Sequence, residues 1–194
     1  MTKTYRVTRE EERIFMFIDL KSSTSIAEQL GHVRYSHFLN TSFNFLSEMI
    51  ADYQAEIYQF VGDEVVLTWL IDIGKKDEQC IKLFYNFKNT LSLRQDIYQK
   101  KFGIIPEFRA SVHSGIVSVS ESKEPNRELL YHGDVLNTCS RILELCNRYN
   151  TELMVSDIVA IWLQSSLEYT VQYINKFILR GKKHYTDIFI ISQV

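Results

Sequence analysis

The order of hydrophobic periodicities along the chain predicts an α+β fold, a ferredoxin-like β-α-β-β-α-β core with a C-terminal extension. Three observations carry that prediction. Apolar runs of strand length alternate with stretches of helical spacing, a Gly62-Asp63 pair separates two runs rich in Ile, Val, Tyr, Phe and Trp, and the composition demands a packed core. Of 194 residues, 45% are hydrophobic and 13% aromatic, with 2 Pro and 7 Gly, which excludes disordered, collagen-like and low-complexity chains. A chain of this length fits one domain and buries roughly 70% of its unfolded surface.

Residues 14–18 read as a buried central strand that stops at Asp19, after which Ser22, Ser23 and Thr24 offer helix N-cap chemistry. Over 34–53, Phe38, Leu39, Phe45, Leu46, Met49 and Ile50 recur at helical spacing and leave Asn40, Asn44 and Glu48 outside, which predicts one long amphipathic helix. Residues 55–61 and 64–70 form the hairpin, since Gly-Asp suits a tight two-residue turn. A helix over 80–98 follows. Beyond Pro106 a strand carries Phe108, Ala110 and Val112, turns at His113-Ser114-Gly115 and resumes through Ile116, Val117 and Val119. A short strand at 129–131, a helix entered at Gly133-Asp134 and running to 149, a strand at 153–155, a helix near 157–163 and strands around 169–179 and 184–191 complete the chain.

Charge and cysteine usage narrow the function classes. Lys plus Arg at 22 against Asp plus Glu at 24 leaves a net charge of -2, too balanced to steer the whole molecule onto nucleic acid or an anionic membrane, so any phosphate binding is local. Cys80, Cys139 and Cys146 contain no CxxC pair, which argues against a disulfide frame or zinc knuckle and points to a reducing cytoplasm. No apolar run approaches the ~18 residues that span a bilayer, so direct membrane insertion by this chain is not expected. His32, His37, His132 and His184 read as surface or packing residues. His113, at its turn, receives no catalytic role.

Asp19 directly after a buried strand and Asp63 at the tip of a neighbouring hairpin are what a two-metal site needs, hard carboxylate oxygens projecting from rigid elements. Taken singly, each has a plainer reading, Asp19 as a helix cap and Asp63 as a turn residue. The hydroxyl-rich loop beside Asp19 favours the paired reading, because backbone N–H groups of 21–24 leading into a helix attract phosphate oxygens. Glu64 reads as a solvated strand residue, with a further metal ligand as the alternative.

Phe17-Ile18-Asp19-Leu20-Lys21-Ser22-Ser23-Thr24 resembles the first metal-binding motif of the class III nucleotidyl cyclases, the adenylate and guanylate cyclase catalytic domains. Three further motifs arrive in the family's order. Val61-Gly62-Asp63-Glu64 is similar to the second metal motif, Arg109-Ala110-Ser111-Val112-His113-Ser114-Gly115 to an Arg-containing strand with a His-x-Gly turn, and Gly133-Asp134-Val135-Leu136-Asn137-Thr138-Cys139-Ser140-Arg141 to the transition-state helix.

The resemblance implies the class III cyclase fold over 13–194, with 1–12 as an N-terminal linker segment that could lead from a sensor or membrane region of a longer protein. It also implies attack of a nucleoside triphosphate's 3′-hydroxyl on its own α-phosphorus, with pyrophosphate leaving. By the family pattern Asp19 and Asp63 hold two divalent cations, Mg2+ or Mn2+, while Ser22, Ser23, Thr24, Arg109 and Lys182 bind the triphosphate. Asn137 orients the ribose and Arg141 binds the α-phosphoryl group; one helical turn apart, they share a face. In the family that face meets the metal site of a second copy, so a homodimer is implied. Where purine-specific members place a Lys and an Asp that recognise the base, this chain has Gln59 and Leu130. An amide still donates and accepts hydrogen bonds, whereas Leu130 offers none. ATP and cyclic AMP are favoured on family frequency; UTP, CTP or GTP with the same chemistry, and a non-catalytic nucleotide-binding regulatory module, are the alternatives.

Overall fold

The computed structural model describes residues 5–122, 128–181 and 184–194. Its elements run β1 (Tyr5–Leu20), α1 (Ser23–Leu30), α2 (His32–Met49), β2 (Glu56–Val61), β3 (Glu64–Leu70), α3 (Ile71–Lys75), α4 (Gln79–Leu93), α5 (Gln95–Lys101), β4 (Phe108–Ser122), β5 (Leu129–His132), α6 (Asp134–Tyr149), β6 (Leu153–Ser156), α7 (Asp157–Leu163), β7 (Tyr169–Ile178) and β8 (Tyr185–Gln193). One eight-stranded sheet has the order β2-β3-β1-β4-β6-β8-β7, with β5 paired to β4. Within β2-β3-β1-β4 each neighbouring pair is antiparallel, the arrangement of a ferredoxin-like core. β6 lies parallel to β4, and the connection between them contains α6, as a parallel crossover requires. The α+β expectation with a C-terminal extension is therefore met.

The period of two along β1 divides the core. Ile14, Met16, Ile18 and Leu20 face a large apolar cluster built with α1, α2, α4, α5 and α7. Phe15 and Phe17 face a second cluster that packs Val135, Cys139, Ile142 and Cys146 of α6. Burial on both faces is why residues 14–18 form an unbroken apolar run rather than an alternating one. Trp69, fully buried on β3, donates its indole N–H to the Tyr53 carbonyl at 3.0 Å and so ties the chain after α2 to the hairpin.

Four local expectations change. β1 starts at Tyr5, so residues 5–12 are hydrogen-bonded to β4 from Ile116 to Ser122, with a bulge between Val7 and Arg9. That ribbon is mostly exposed and so carries no apolar signal. The helix expected over 80–98 is two helices, broken at Arg94 with φ -103° and ψ 11°. β4 continues without interruption through His113-Ser114-Gly115, in unbroken register with β1, so there is no turn there. Gly115 answers helix packing instead, since a Cβ would sit 2.9 Å from Val135 Cγ2. The helix after β1 begins at Ser23 with Ser22 left-handed (φ 57°), and no hydroxyl caps it. No described helix is long and apolar enough to cross a membrane.

Candidate active site

At the Leu20 end of β1, strand register places three charged residues in one row: Asp19 lies opposite Glu64 of β3 on one side and Arg109 of β4 on the other. Arg109 donates from Nε (3.1 Å) and Nη2 (2.7 Å) to Oδ2 of Asp19, and both side chains are largely sheltered, at 11% and 19% exposure. Asp63 joins from the hairpin tip, where Gly62 at φ 64° takes the left-handed conformation that a tight turn requires. Burial pushes the Asp19 carboxyl above its ordinary range; Arg109 opposes this and Asp63 adds to it. Glu64, half-buried, is pushed up to about 7 by burial, reinforced by Asp19 and Asp63.

Three carboxylates thus face one guanidinium, and the imbalance suits a hard cation. Among the described residues no group of three or more His, Cys, Asp or Glu side chains is placed to hold a metal ion by itself. Asp19 and Asp63 are the carboxylates that a divalent cation would find here, with water and ligand oxygens needed to complete its shell.

Ser23 and Thr24, in the first turn of α1, line two open clefts. One, about 510 Å³, is lined by Ser23, Thr24, His32, Tyr35 and Asp63 among others. The other, about 540 Å³, is lined by residues 21–25 with Arg109, Asn147 and Asn150. Ser22, Ser23, Thr24 and Arg109 therefore sit together beside Asp19 and Asp63. Asn137 and Arg141 do not join them. They project from α6 opposite its buried face of Val135, Cys139, Ile142 and Cys146, with Asn137 exposed and Arg141 paired with Glu144 of its own helix.

Gln59 is exposed on β2 opposite Val66, beside a bulge between Ile57 and Gln59. Leu130 is half-buried on β5 opposite Ser120. The contact between these two strands runs through their neighbours: the Tyr58 and Tyr131 rings are 5.0 Å apart, and both pack on Phe15. Lys182 lies outside the described residues. Sequence reasoning read Glu64 as a solvated strand residue, with a further metal ligand as the alternative; it is half-buried, and both aspartates bear on its carboxyl. It passed over Tyr35 entirely, since helical spacing marks that position only as part of α2. His113, mid-strand, shares a 2.8 Å hydrogen bond between Nδ1 and Ser156 Oγ, a structural role.

The sheet order and the sequence together define a nucleotidyl cyclase domain. The sequence model described as "Adenylate and Guanylate cyclase catalytic domain" matches residues 6–193, and the chain belongs to that family. It is 33% identical over 156 residues to Adenylate cyclase 2 of Rhizobium meliloti (strain 1021), covering 80% of this chain and 43% of the relative. To Adenylate cyclase 1 of the same organism it is 26% identical over 159 residues, covering 79% and 24%. The chain thus spans less than half the length of these relatives. Among solved structures it resembles the adenylyl cyclase CyaB from P. aeruginosa (TM-score 0.80, 17% identity, 96% of each chain) and the guanylyl cyclase Cya2 (TM-score 0.79, 18% identity, 97% and 95%). At such identities the likeness is one of fold.

Proposed function

We propose that this domain converts ATP to 3′,5′-cyclic AMP and pyrophosphate, at sites shared between two copies of the chain. The observation that carries the reading is the separation of charge within one copy. Asp19 and Asp63 gather at the sheet end beside the phosphate-type loop, while Asn137 and Arg141 point outward from α6 with no described contact to that cluster. Such a division suits two half-sites completed across a two-fold assembly.

In this reading Asp19 and Asp63 hold two divalent cations, Mg2+ or Mn2+, which when bound activate the 3′-hydroxyl and neutralise the triphosphate. Backbone N–H groups at Ser22, Ser23 and Thr24, with Arg109 and Lys182, grip the phosphates. Asn137 orients the ribose through directed neutral hydrogen bonds. Arg141 offers a permanent planar charge to the α-phosphoryl oxygens as they gain negative charge in the transition state. Retention of that pair weighs against a binding-only module, which has no use for transition-state groups. ATP is favoured by the name of the 33%-identical relative. A second reading, GTP, UTP or CTP with the same chemistry, is favoured by Leu130, which removes one polar contact from the expected base site. The domain acts in the cytoplasm, a placement that its three buried free thiols support, and it fits the catalytic part of a longer, sensor-bearing protein.

The test is complementation. Asp63→Asn and Arg141→Ala are each expected to abolish turnover, and mixing the two variants in equal amounts restores about a quarter of wild-type activity, because half the dimers then contain one intact site of two. No recovery on mixing refutes shared sites. Supplying ATP, GTP, UTP and CTP separately to the wild-type chain and identifying the cyclic product decides the base.

A further inference from the structure

Asp19 and Arg109 stand opposite each other across the β1–β4 ladder, and the backbone is fixed on both sides of the pair. The register runs without a shift from Arg9 to Leu20, and beyond the strand the Lys21 N–H still donates to the Glu107 carbonyl at 2.8 Å. What the backbone leaves undecided is the rotation of the Asp19 side chain. Arg109 decides it. Its Nε and Nη2 converge on one carboxylate oxygen, Oδ2, at 3.1 and 2.7 Å, and neither bond goes to Oδ1. The frequent pairing of a guanidinium with a carboxylate is fork to fork, two nitrogens on two oxygens, which spends the whole carboxylate on the arginine. Here the arginine takes one oxygen and leaves the other out of the pair.

We propose that Arg109 is a positioning residue for Asp19: by holding Oδ2 it fixes the carboxylate so that Oδ1 is the atom presented to a divalent cation. The inference rests on the cyclase reading and adds to it, since there Arg109 serves the triphosphate alone. Both side chains are largely sheltered from solvent, so these charge-assisted bonds meet little competition from water. A lysine does not replace the fork. Its ammonium carries the same charge on a single nitrogen, with no plane to set the angle of the carboxylate. Nη1 of Arg109, which makes neither bond to Asp19, remains for the phosphate contact. Partners that orient a ligating side chain are each worth about 10–100-fold in metal affinity.

Arg109→Lys keeps the charge and removes the fork. Electron paramagnetic resonance reads cation binding in two arms, Mn2+ alone and Mn2+ with 3′-deoxy-ATP, which lacks the attacking hydroxyl; a melting curve runs alongside. Mn2+ binding about tenfold weaker than wild type is expected in both arms, because the fork acts on Asp19 whether or not nucleotide is present. Wild-type Mn2+ binding by the folded Lys variant, or a loss confined to the nucleotide arm, overturns the proposal and leaves the cyclase reading standing. The wild-type chain supplies a second measurement that depends on no variant's folding. In its nuclear magnetic resonance spectrum the Arg109 Nε–H signal stays protected from solvent exchange when Mg2+ is added to saturation, since the fork and the cation use different oxygens. Collapse of that signal into fast exchange means that the arginine lets go as the cation arrives, and it overturns the proposal. If the wild-type chain takes up Mn2+ in neither arm, the metal assignment of the cyclase reading falls and this one with it.

Discussion

Replacing Glu64 with glutamine should stabilise the metal-free protein at mildly alkaline pH and leave it unchanged in acid. In the folded chain the Glu64 carboxyl is pushed up from the ordinary 4.5 to about 7 by burial, then by Asp19 and Asp63. The native state therefore holds this proton more tightly than the unfolded chain does. Stability linked to it is fully present below the unfolded value and is lost as pH rises through about 7. The interval corresponds to roughly 3 kcal/mol. Partial solvent exposure of the side chain reduces that to about 2 kcal/mol. The glutamine amide has no charge to bury, so the variant escapes the loss. Urea unfolding in a chelator is the assay: the midpoint of Glu64→Gln exceeds wild type by the equivalent of ~2 kcal/mol at about pH 8 and coincides with it at about pH 4. Millimolar Mg2+ narrows the gap at the higher pH, because a cation beside Asp19 and Asp63 relieves the same repulsion. A gap equal at both pH values, or none at pH 8, would refute the three-carboxylate account.

Arg13, 3% exposed, donates to Thr68 Oγ1 at 3.0 Å, pairs with Glu11 (2.6 Å) and Glu56 (2.7 Å), and lies 4.8 Å over the Tyr131 ring. Arg13→Met leaves the sheltered Glu11 without its partner, while Glu56 stays in contact with solvent, and should cost about 3 kcal/mol at neutral pH, read as a lower urea midpoint at unchanged slope. Burial pushes the Glu11 carboxyl up, but its bonds to Arg13 and Arg9 hold it below the ordinary 4.5, so the stability it brings is present above that value and lost as pH falls. The cost of Arg13→Met therefore shrinks in acid; a cost independent of pH assigns the effect to packing alone. A Cβ on Gly74 would meet Ile14 Cδ1 and Trp69 Cβ at 2.8 Å, so Gly74→Ala should destabilise by about 1–3 kcal/mol through overpacking. An unchanged thermal midpoint contradicts that packing.

How far the site was legible follows from the range of the forces involved. Residues 14–18, the Gly62-Asp63 hairpin and the apolar stripe of α6 announce themselves within a few neighbours, because strand alternation, turn stereochemistry and helical spacing are short-range constraints. The four motifs are equally local strings. The exposed ribbon 5–12 left no such trace. It is held by hydrogen bonds to β4, and backbone bonding is indifferent to side-chain type.

The amino-acid order by itself determined the α+β class, the ferredoxin-like succession of elements and the identity of Asp19, Asp63, Asn137 and Arg141 as the residues to watch. Only the tertiary structure decided which charges meet. Antiparallel register set Glu64 and Arg109 on either side of Asp19, and the bend at Gly31 brought Tyr35 to the cleft that Asp63 also lines. The packing of α6 through Cys139 and Ile142 turned Asn137 and Arg141 away from them. The division has one physical cause: electrostatic and hydrogen-bond partners are chosen by distance through space, and in a sheet that distance is set by strand register rather than by separation along the chain.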